Sequence, residues 1–228
     1  MRISHGLRAS LAAQTGPTDP DFANVSLLLH MDGSNGSTTF TDSSSNAVTV
    51  TAQGDAQIST AQSKFGGASG LFDGSGDYLS IPSSSDFDFG TGDFTVEAWV
   101  LRTSGVTFNL FTSVNVGGFE FYMDLFGGWS VARPGQSLDY QSGASLTSNV
   151  WSHVALCRDA TSIRVFVNGV ISPTTQSNSI SYNAGSGGST VTSSQRSLTG
   201  YIDDLRITKG VARYTTSFTP PTAPFPDS

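Results

Sequence analysis

Phe94-Thr95-Val96-Glu97-Ala98-Trp99-Val100 alternates with a period of two. Phe94, Val96, Ala98 and Val100 share one face, and Thr95, Glu97 and Trp99 share the other, as in a β-strand with one side on a core. The same signal recurs outward from it. Upstream, Ser26-Leu27-Leu28-Leu29-His30-Met31 is an apolar run closed by the turn residues Asp32-Gly33-Ser34-Asn35-Gly36, and Val48-Thr49-Val50-Thr51 alternates. Leu71-Phe72-Asp73 and Tyr78-Leu79-Ser80-Ile81 flank Gly74-Ser75-Gly76-Asp77, which predicts a hairpin. Downstream, Phe108–Val114 and Phe119–Leu125 are two further runs, and Asp159-Ala160-Thr161 joins Trp151–Arg158 to Ser162–Asn168 in a second predicted hairpin. Gly200–Ile207 is the last clear strand. No long helical period intervenes, so the pattern predicts an all-β sandwich or jelly roll.

Composition agrees. Charged residues make up 13% of the 228, about half the usual share, and neutral polar residues and glycine fill the gap. With 37% hydrophobic and 11% aromatic residues the chain can bury a core. The formal net charge is −7 and the eleven Lys and Arg are scattered, which argues against nucleic acid and anionic lipid as partners. No segment approaches the roughly 20 apolar residues of a membrane span. Cys157 is the sole cysteine, which excludes an intrachain disulfide and a cysteine-based zinc site. Residues 1–15 hold no apolar core of a signal peptide, so synthesis in the cytoplasm and release by lysis are expected.

Three segments follow. Residues 1–24 are expected to form an assembly arm, with Arg2, Leu7, Arg8 and Leu11 as its docking residues, ending in Gly16-Pro17-Thr18-Asp19-Pro20-Asp21. Residues 25–210 form the sandwich. Residues 211–228 form a Pro-rich C-terminal arm, extended through Phe218–Pro226, which wraps the surface or meets a neighbour.

Five stretches in series resemble the laminin-G-like, concanavalin A-like lectin/glucanase superfamily: Phe72–Leu79, Phe94–Val100, Trp151–Ala155, Ile163–Gly169 and Gly200–Ile207. The resemblance implies a jelly-roll sandwich of two curved antiparallel sheets. Leu27–Ser43, Ile207–Tyr214 and the ending through Phe225-Pro226 are similar to lectin-like domains of tailed-bacteriophage structural proteins. That similarity implies a non-enzymatic virion component, a head decoration or tail fibre/spike subunit. Its partners would be other virion proteins, copies of itself and host surface polysaccharide. The alternative is a free-standing calcium-dependent carbohydrate-binding module.

The superfamily includes glycoside hydrolases, which need two carboxylates about 5–9.5 Å apart. Glu97 and Glu120 are the only glutamates and each stands alone, so hydrolysis is not expected. His5, His30 and His153 accompany no Gly-x-Ser-x-Gly elbow, and His153 follows the family's structural Trp-x-His-Val-Ala pattern. The resemblance also implies one structural Ca2+, carried onto Asp32 and Asp203 with Asp73 or the Gly74 carbonyl as a further ligand. Against this, Asp32 and Asp73 suit turn caps, and Asp203 suits a pair with Arg206 or Arg164. A glycan platform calls for exposed aromatics beside polar groups. Trp129, Tyr140 and Tyr182 are the first candidates, with Trp99, Tyr122 and Tyr201 also in view, although a sandwich core buries such rings as well. The long loop Ser177–Gln195, rich in Ser, Gly and Asn, is a further candidate.

Overall fold

The computed structural model describes residues 18–105, 107–113, 118–134, 138–183 and 187–228. Among these it contains seventeen strands: β1 (Val25–Leu29), β2 (Thr39–Phe40), β3 (Val50–Gln53), β4 (Gln57–Ser59), β5 (Ser69–Asp73), β6 (Tyr78–Ile81), β7 (Phe94–Ser104), β8 (Phe108–Ser113) and β9 (Glu120–Met123), then β10 (Trp129–Ala132), β11 (Leu138–Gln141), β12 (Ser152–Asp159), β13 (Ser162–Val167), β14 (Val170–Ile171), β15 (Gln176–Ser177), β16 (Ser189–Val191) and β17 (Thr199–Lys209). They form two antiparallel sheets. The first runs β14-β13-β12-β7-β17-β5-β4, with β1 against the second half of β17 and β15 beside β13. The second runs β11-β10-β9-β8-β16-β6-β3-β2. The expected all-β sandwich is thus the observed one. No helix among the described residues is long and apolar enough to cross a membrane.

β7 sits mid-sheet between β12 and β17, and its alternation works as read. Phe94, Val96, Ala98 and Val100 enter the core shared with the second sheet. Phe89 stacks on Phe94 at 4.4 Å and Phe119 meets both rings edge-on. Burying each such ring contributes about 1.5–3 kcal/mol.

The other face of β7 is buried as well, because both chain segments flanking the sandwich lie on it. Arg206 donates to Glu97 Oε1 from Nε (2.9 Å) and Nη2 (2.7 Å), and the Tyr214 hydroxyl donates to Oε2 at 2.9 Å. His153 Nε2 lies 3.2 Å from the same Oε2. Asp19 bridges Arg206 (2.9 Å) and Arg213 (2.8 and 3.0 Å). Burial opposes ionisation of Glu97, but the Arg206 charge and His153 outweigh it and hold its pKa at about 2. Above the network, Tyr214 stacks on Phe218 at 3.6 Å, and Phe225 packs on Val25 and Leu28 under the Arg206 guanidinium. The Asp19 amide donates to the Ser228 carbonyl. Residues 211–228 are therefore extended, and they lie along the first sheet. Arg2, Leu7, Arg8 and Leu11 fall outside the described residues.

Two expectations are corrected. Residues 71–81 are no hairpin: β5 pairs with β4 and β17 in the first sheet, while β6 pairs with β3 and β16 in the second. The intervening turn carries the chain between sheets, using Gly74 (φ 88°) and Gly76 (φ 80°) and the buried Asp77, which accepts from the amides of Asp73 and Asp55. Ser177–Gln195 is not one loop, since it contributes β16 to the middle of the second sheet and the bridge of Tyr182 to Gly90.

Glu97→Gln is expected to cost about 3–5 kcal/mol at pH 7, because it uncouples Arg206 from its buried partner. The depressed carboxylate contributes stability above its unfolded value of 4.5, and that contribution is lost as pH falls towards 2. Urea unfolding of the variant across this window should therefore show a flatter acid limb than the parent; an identical slope would remove Glu97 from the acid response.

Candidate functional site

The outer face of the second sheet, unlike that of the first, carries no extended covering segment among the described residues. Its strands turn apolar side chains inward and neutral polar ones outward, and register lines the latter up across the sheet. Gln141, Ser130, Tyr122 and Asn109 form one rung on β11, β10, β9 and β8. Glu120, Thr112, Thr190, Ser80 and Thr51 form a second on β9, β8, β16, β6 and β3. Cross-strand alignment of this kind makes a stripe of donors and acceptors at strand spacing.

Three adjoining cavities of about 520, 520 and 410 Å³ lie along this face. The first spans β6 to β9, between Tyr78 and Glu120. Arg196 separates it from the second: its guanidinium stands 4.5 Å over the Tyr122 ring, and Nη1 is 3.5 Å from Glu120 Oε2. The third continues past Phe126 and Gln141 to Ser142 and Thr174. Two buried polar atoms on residues lining the first two cavities have no hydrogen-bond partner, Asn109 Oδ1 and Thr107 Oγ1. Each buried polar group left unpaired costs about 1–3 kcal/mol. These two leave the trough with hydrogen-bonding capacity that a polar ligand could use.

The turn between β9 and β10 shapes the far end. Asp124 Oδ1 accepts from the amides of Phe126 (2.8 Å) and Gly128 (3.0 Å), and Gly127 takes φ 80°. This local capping pushes Phe126 (91% exposed) and Leu125 (72%) into solvent. Asp124 Oδ2 accepts from Ser130 and Gln141, so the carboxylate is fully engaged and its pKa is lowered, these bonds outweighing desolvation.

Trp129, Tyr140 and Tyr182 are not part of this surface, which corrects the sequence expectation. On β10 and β11 the inward positions are Trp129 and Tyr140, and the outward ones are Ser130 and Gln141. Trp129 packs against Phe108 and Phe121, the Tyr140 hydroxyl donates to the Thr174 carbonyl, and the Tyr182 hydroxyl accepts from Asn178. Trp99 and Tyr201 lie on the first sheet. Tyr122 is the candidate aromatic that the trough does contain; Tyr78 and Phe126 were missed. The signal available for Phe126 was its place inside Asp124-Leu125-Phe126-Gly127, a turn of strong sequence type.

Of the expected calcium ligands, two come together. At the β17 bulge, where β5 gives way to β1, Asp203 Oδ2 accepts from the amides of Lys64 and Phe65, while Oδ1 is buried and unpartnered. Burial chiefly, with added repulsion from Asp204 and Asp32, lifts the Asp203 pKa to about 7. The Asp32 carboxylate lies against Gly66, where a side chain would collide with it. Its neighbour His30 bridges Asp204 (2.6 Å) and Asp227 (2.7 Å), and these bonds outweigh desolvation and raise its pKa to about 9. Asp73 is elsewhere, accepting from the Ser75 amide in the inter-sheet turn. Among the described residues no three His, Cys, Asp or Glu converge on one point. The orphaned Asp203 oxygen beside a second carboxylate fits a cation, provided backbone carbonyls complete the shell.

A two-sheet jelly roll with one face covered and one open defines the class as lectin-like. A family model described as the concanavalin A-like lectin/glucanases superfamily (Laminin_G_3) matches residues 73–213, and the chain belongs to that family. Comparison with curated protein sequences found no match. Among solved structures, the chain is similar to the binding domain of Paraclostridial Mosquitocidal Protein 1 (14% identity, TM-score 0.60, covering 83% of this chain and 50% of that one). It is similar to the receptor binding domain of botulinum neurotoxin D (13%, 0.60, 84% and 50%). It is also similar to domain 4 of AbnA, a GH43 extracellular arabinanase from Geobacillus stearothermophilus, in complex with arabinotriose (16%, 0.61, 83% and 94%). The chain thus spans about half the length of the toxin domains and nearly all of the arabinanase domain. At these identities the likeness is one of fold.

Trp129→Ala is expected to lower stability by about 3–5 kcal/mol, as for a large ring removed from a core, whereas Phe126→Ala should stay within about 0.5 kcal/mol. Thermal or urea unfolding of the two variants checks the assignment of core ring and surface ring.

Proposed function

We propose that the chain is a non-catalytic glycan-binding domain carried on the virion of a tailed bacteriophage, with the trough of the second sheet as its binding surface. The observation that carries glycan binding is the unpartnered Asn109 Oδ1, set in register-aligned rungs of mostly neutral polar residues beside aromatic rings. Hydroxyl-rich ligands both donate and accept, and such a stripe meets them without leaving any charge unpaired. A binding role without hydrolysis is supported by the two glutamates. Glu97 is sealed on the first sheet beneath Arg206, and Glu120 faces outward on the second with Arg196, so the core lies between them.

The virion reading rests on Leu27–Ser43 and Ile207–Tyr214, stretches whose strands β1 and β17 are paired. In this reading the arm of residues 1–24 anchors the domain and copies associate through it. The alternative, a free-standing carbohydrate-binding module, draws support from the near-complete overlap with the arabinanase domain. A calcium ion held by Asp32 and Asp203 belongs to either reading. It would neutralise the bulge carboxylates and tie β17 to the 64–66 turn.

Binding is tested by affinity electrophoresis in gels containing neutral polysaccharides. The parent protein should be retarded and Asn109→Ala with Tyr122→Ala should migrate freely at unchanged melting temperature; equal retardation would discard the trough. Calcium should raise the melting temperature of the parent at pH 7 and leave Asp203→Asn unmoved. For the arm, light scattering of residues 1–228 against 18–228 is the informative pair, since a cut at residue 25 would also delete Asp19 from its ion network. An oligomer reduced to monomer supports the arm, and identical masses oppose it.

A further inference from the structure

We infer that the trough takes an internal stretch of a neutral, linear polysaccharide about five sugar units long, and rejects acidic chains. This inference rests on the glycan-binding reading and adds ligand charge, length and mode of entry to it.

Length follows from continuity. The first and second cavities share Gln195 and Arg196, and the second and third share Phe126 and Gln141, so the three adjoin in one line that a chain passing over Arg196 can follow. It crosses the sheet from β6 through β16, β8, β9 and β10 to β11. Five strand spacings amount to roughly 24 Å, and a sugar unit in an extended chain advances by about one such spacing. β11 is the edge strand, and the third cavity extends past it to Ser142 and Thr174. At the other end, beyond Ser80, the next outward residue in the rung is the exposed Thr51. A pocket for a chain terminus would be closed at one end, and this channel suits a passing chain.

Neutrality follows from how its charges are spent within the protein. Arg196 is matched by Glu120, and Arg133 donates to Asp139 from Nε (3.0 Å) and Nη2 (3.1 Å). Asp124 is saturated by its four donors. An incoming carboxylate or sulfate would find no unmatched cation among the described lining residues, and would meet two acidic side chains, Glu120 and Asp124, and a net charge of −7. What stays unmatched is uncharged hydrogen-bonding capacity at Asn109 and Thr107. Rings stand at both ends, Tyr78 in the first cavity and Phe126 in the second and third, where the apolar faces of sugars can stack. Mid-channel the Tyr122 ring is capped by Arg196, so the ligand meets the guanidinium there.

The test is calorimetric titration of the full chain with linear arabinan, xylan and β-glucan oligomers of two to eight units, free and blocked at the reducing end, with polygalacturonate as the acidic probe. For at least one neutral series, affinity should climb with each unit to about five and then level off, blocked and free oligomers alike. Phe126→Ala and Tyr78→Ala should each weaken the hexamer about tenfold with the trimer little changed, at parental melting temperature. Affinity complete at two units, loss of binding on end-blocking, or tighter binding of polygalacturonate would each overturn the inference while leaving glycan binding intact. Absence of binding to every chain, neutral and acidic, would overturn the glycan reading itself and this inference with it.

Discussion

Glu97 lies in the middle of the first sheet with its carboxylate wholly enclosed, and what encloses it organises the molecule. An isolated buried carboxylate is prohibitively costly, so it must be matched. Arg206 from the adjacent strand β17 does most of that, and Asp19 and Arg213 complete an alternating chain of charges. Because Asp19 and Arg213 come from opposite ends of the described chain, satisfying one charge draws both flanking segments onto the sheet. Tyr214, Phe218 and Phe225 then seal it from water, which strengthens the ion pairs they cover. The outcome is a sandwich with an asymmetric exterior: one sheet roofed by its own termini, the other open.

How far the sequence showed this depends on the range of the interactions. The period-two pattern of Phe94–Val100 and the Asp159–Thr161 turn are local, and both were legible. The turn at 74–77 was equally legible as a turn, but its glycines serve a link between sheets as readily as a hairpin. What decides between them is the pairing of β5 with β17 and β6 with β16, separations of more than a hundred residues. β16 escaped because Ser189-Thr190-Val191 is too short for a period and is flanked by glycine and serine. The proline-rich tail read as extended. That it lies on its own domain depends on Arg213 and Tyr214 meeting Glu97, and nothing near them in sequence announces that.

The same distinction explains the site. An aromatic residue in a sandwich strand has two destinations, and its own identity does not choose between them. Trp129 and Tyr140 share their strands with outward Ser130 and Gln141, so the parity of the register sent the rings inward and left the polar residues to form the surface. Residues that line the trough, among them Asn109, Thr112, Thr190 and Ser80, are unremarkable one by one. They become a site because β8, β16 and β6, strands distant in sequence, align them in two neighbouring rungs. Asp203 sits at the β17 bulge within electrostatic reach of Asp32, whereas Asp73 is drawn into capping its own turn.

The low charge content takes on a structural meaning in this light. A rung of Ser, Thr, Asn and Gln can line a whole sheet without electrostatic repulsion between neighbouring strands, and it remains competent to hydrogen-bond in either direction. The few ions that do occur there, Glu120 with Arg196 and Asp139 with Arg133, are paired across or beside the rungs and so add rigidity without a net field. Fold alone leaves function open, as neighbours ranging from toxin binding domains to an arabinanase domain illustrate. On the glycan-binding reading proposed above, a hydroxyl-bearing chain suits the second sheet better than an ionic or purely apolar partner, because its ions are paired while Asn109 and Thr107 keep hydrogen-bonding capacity.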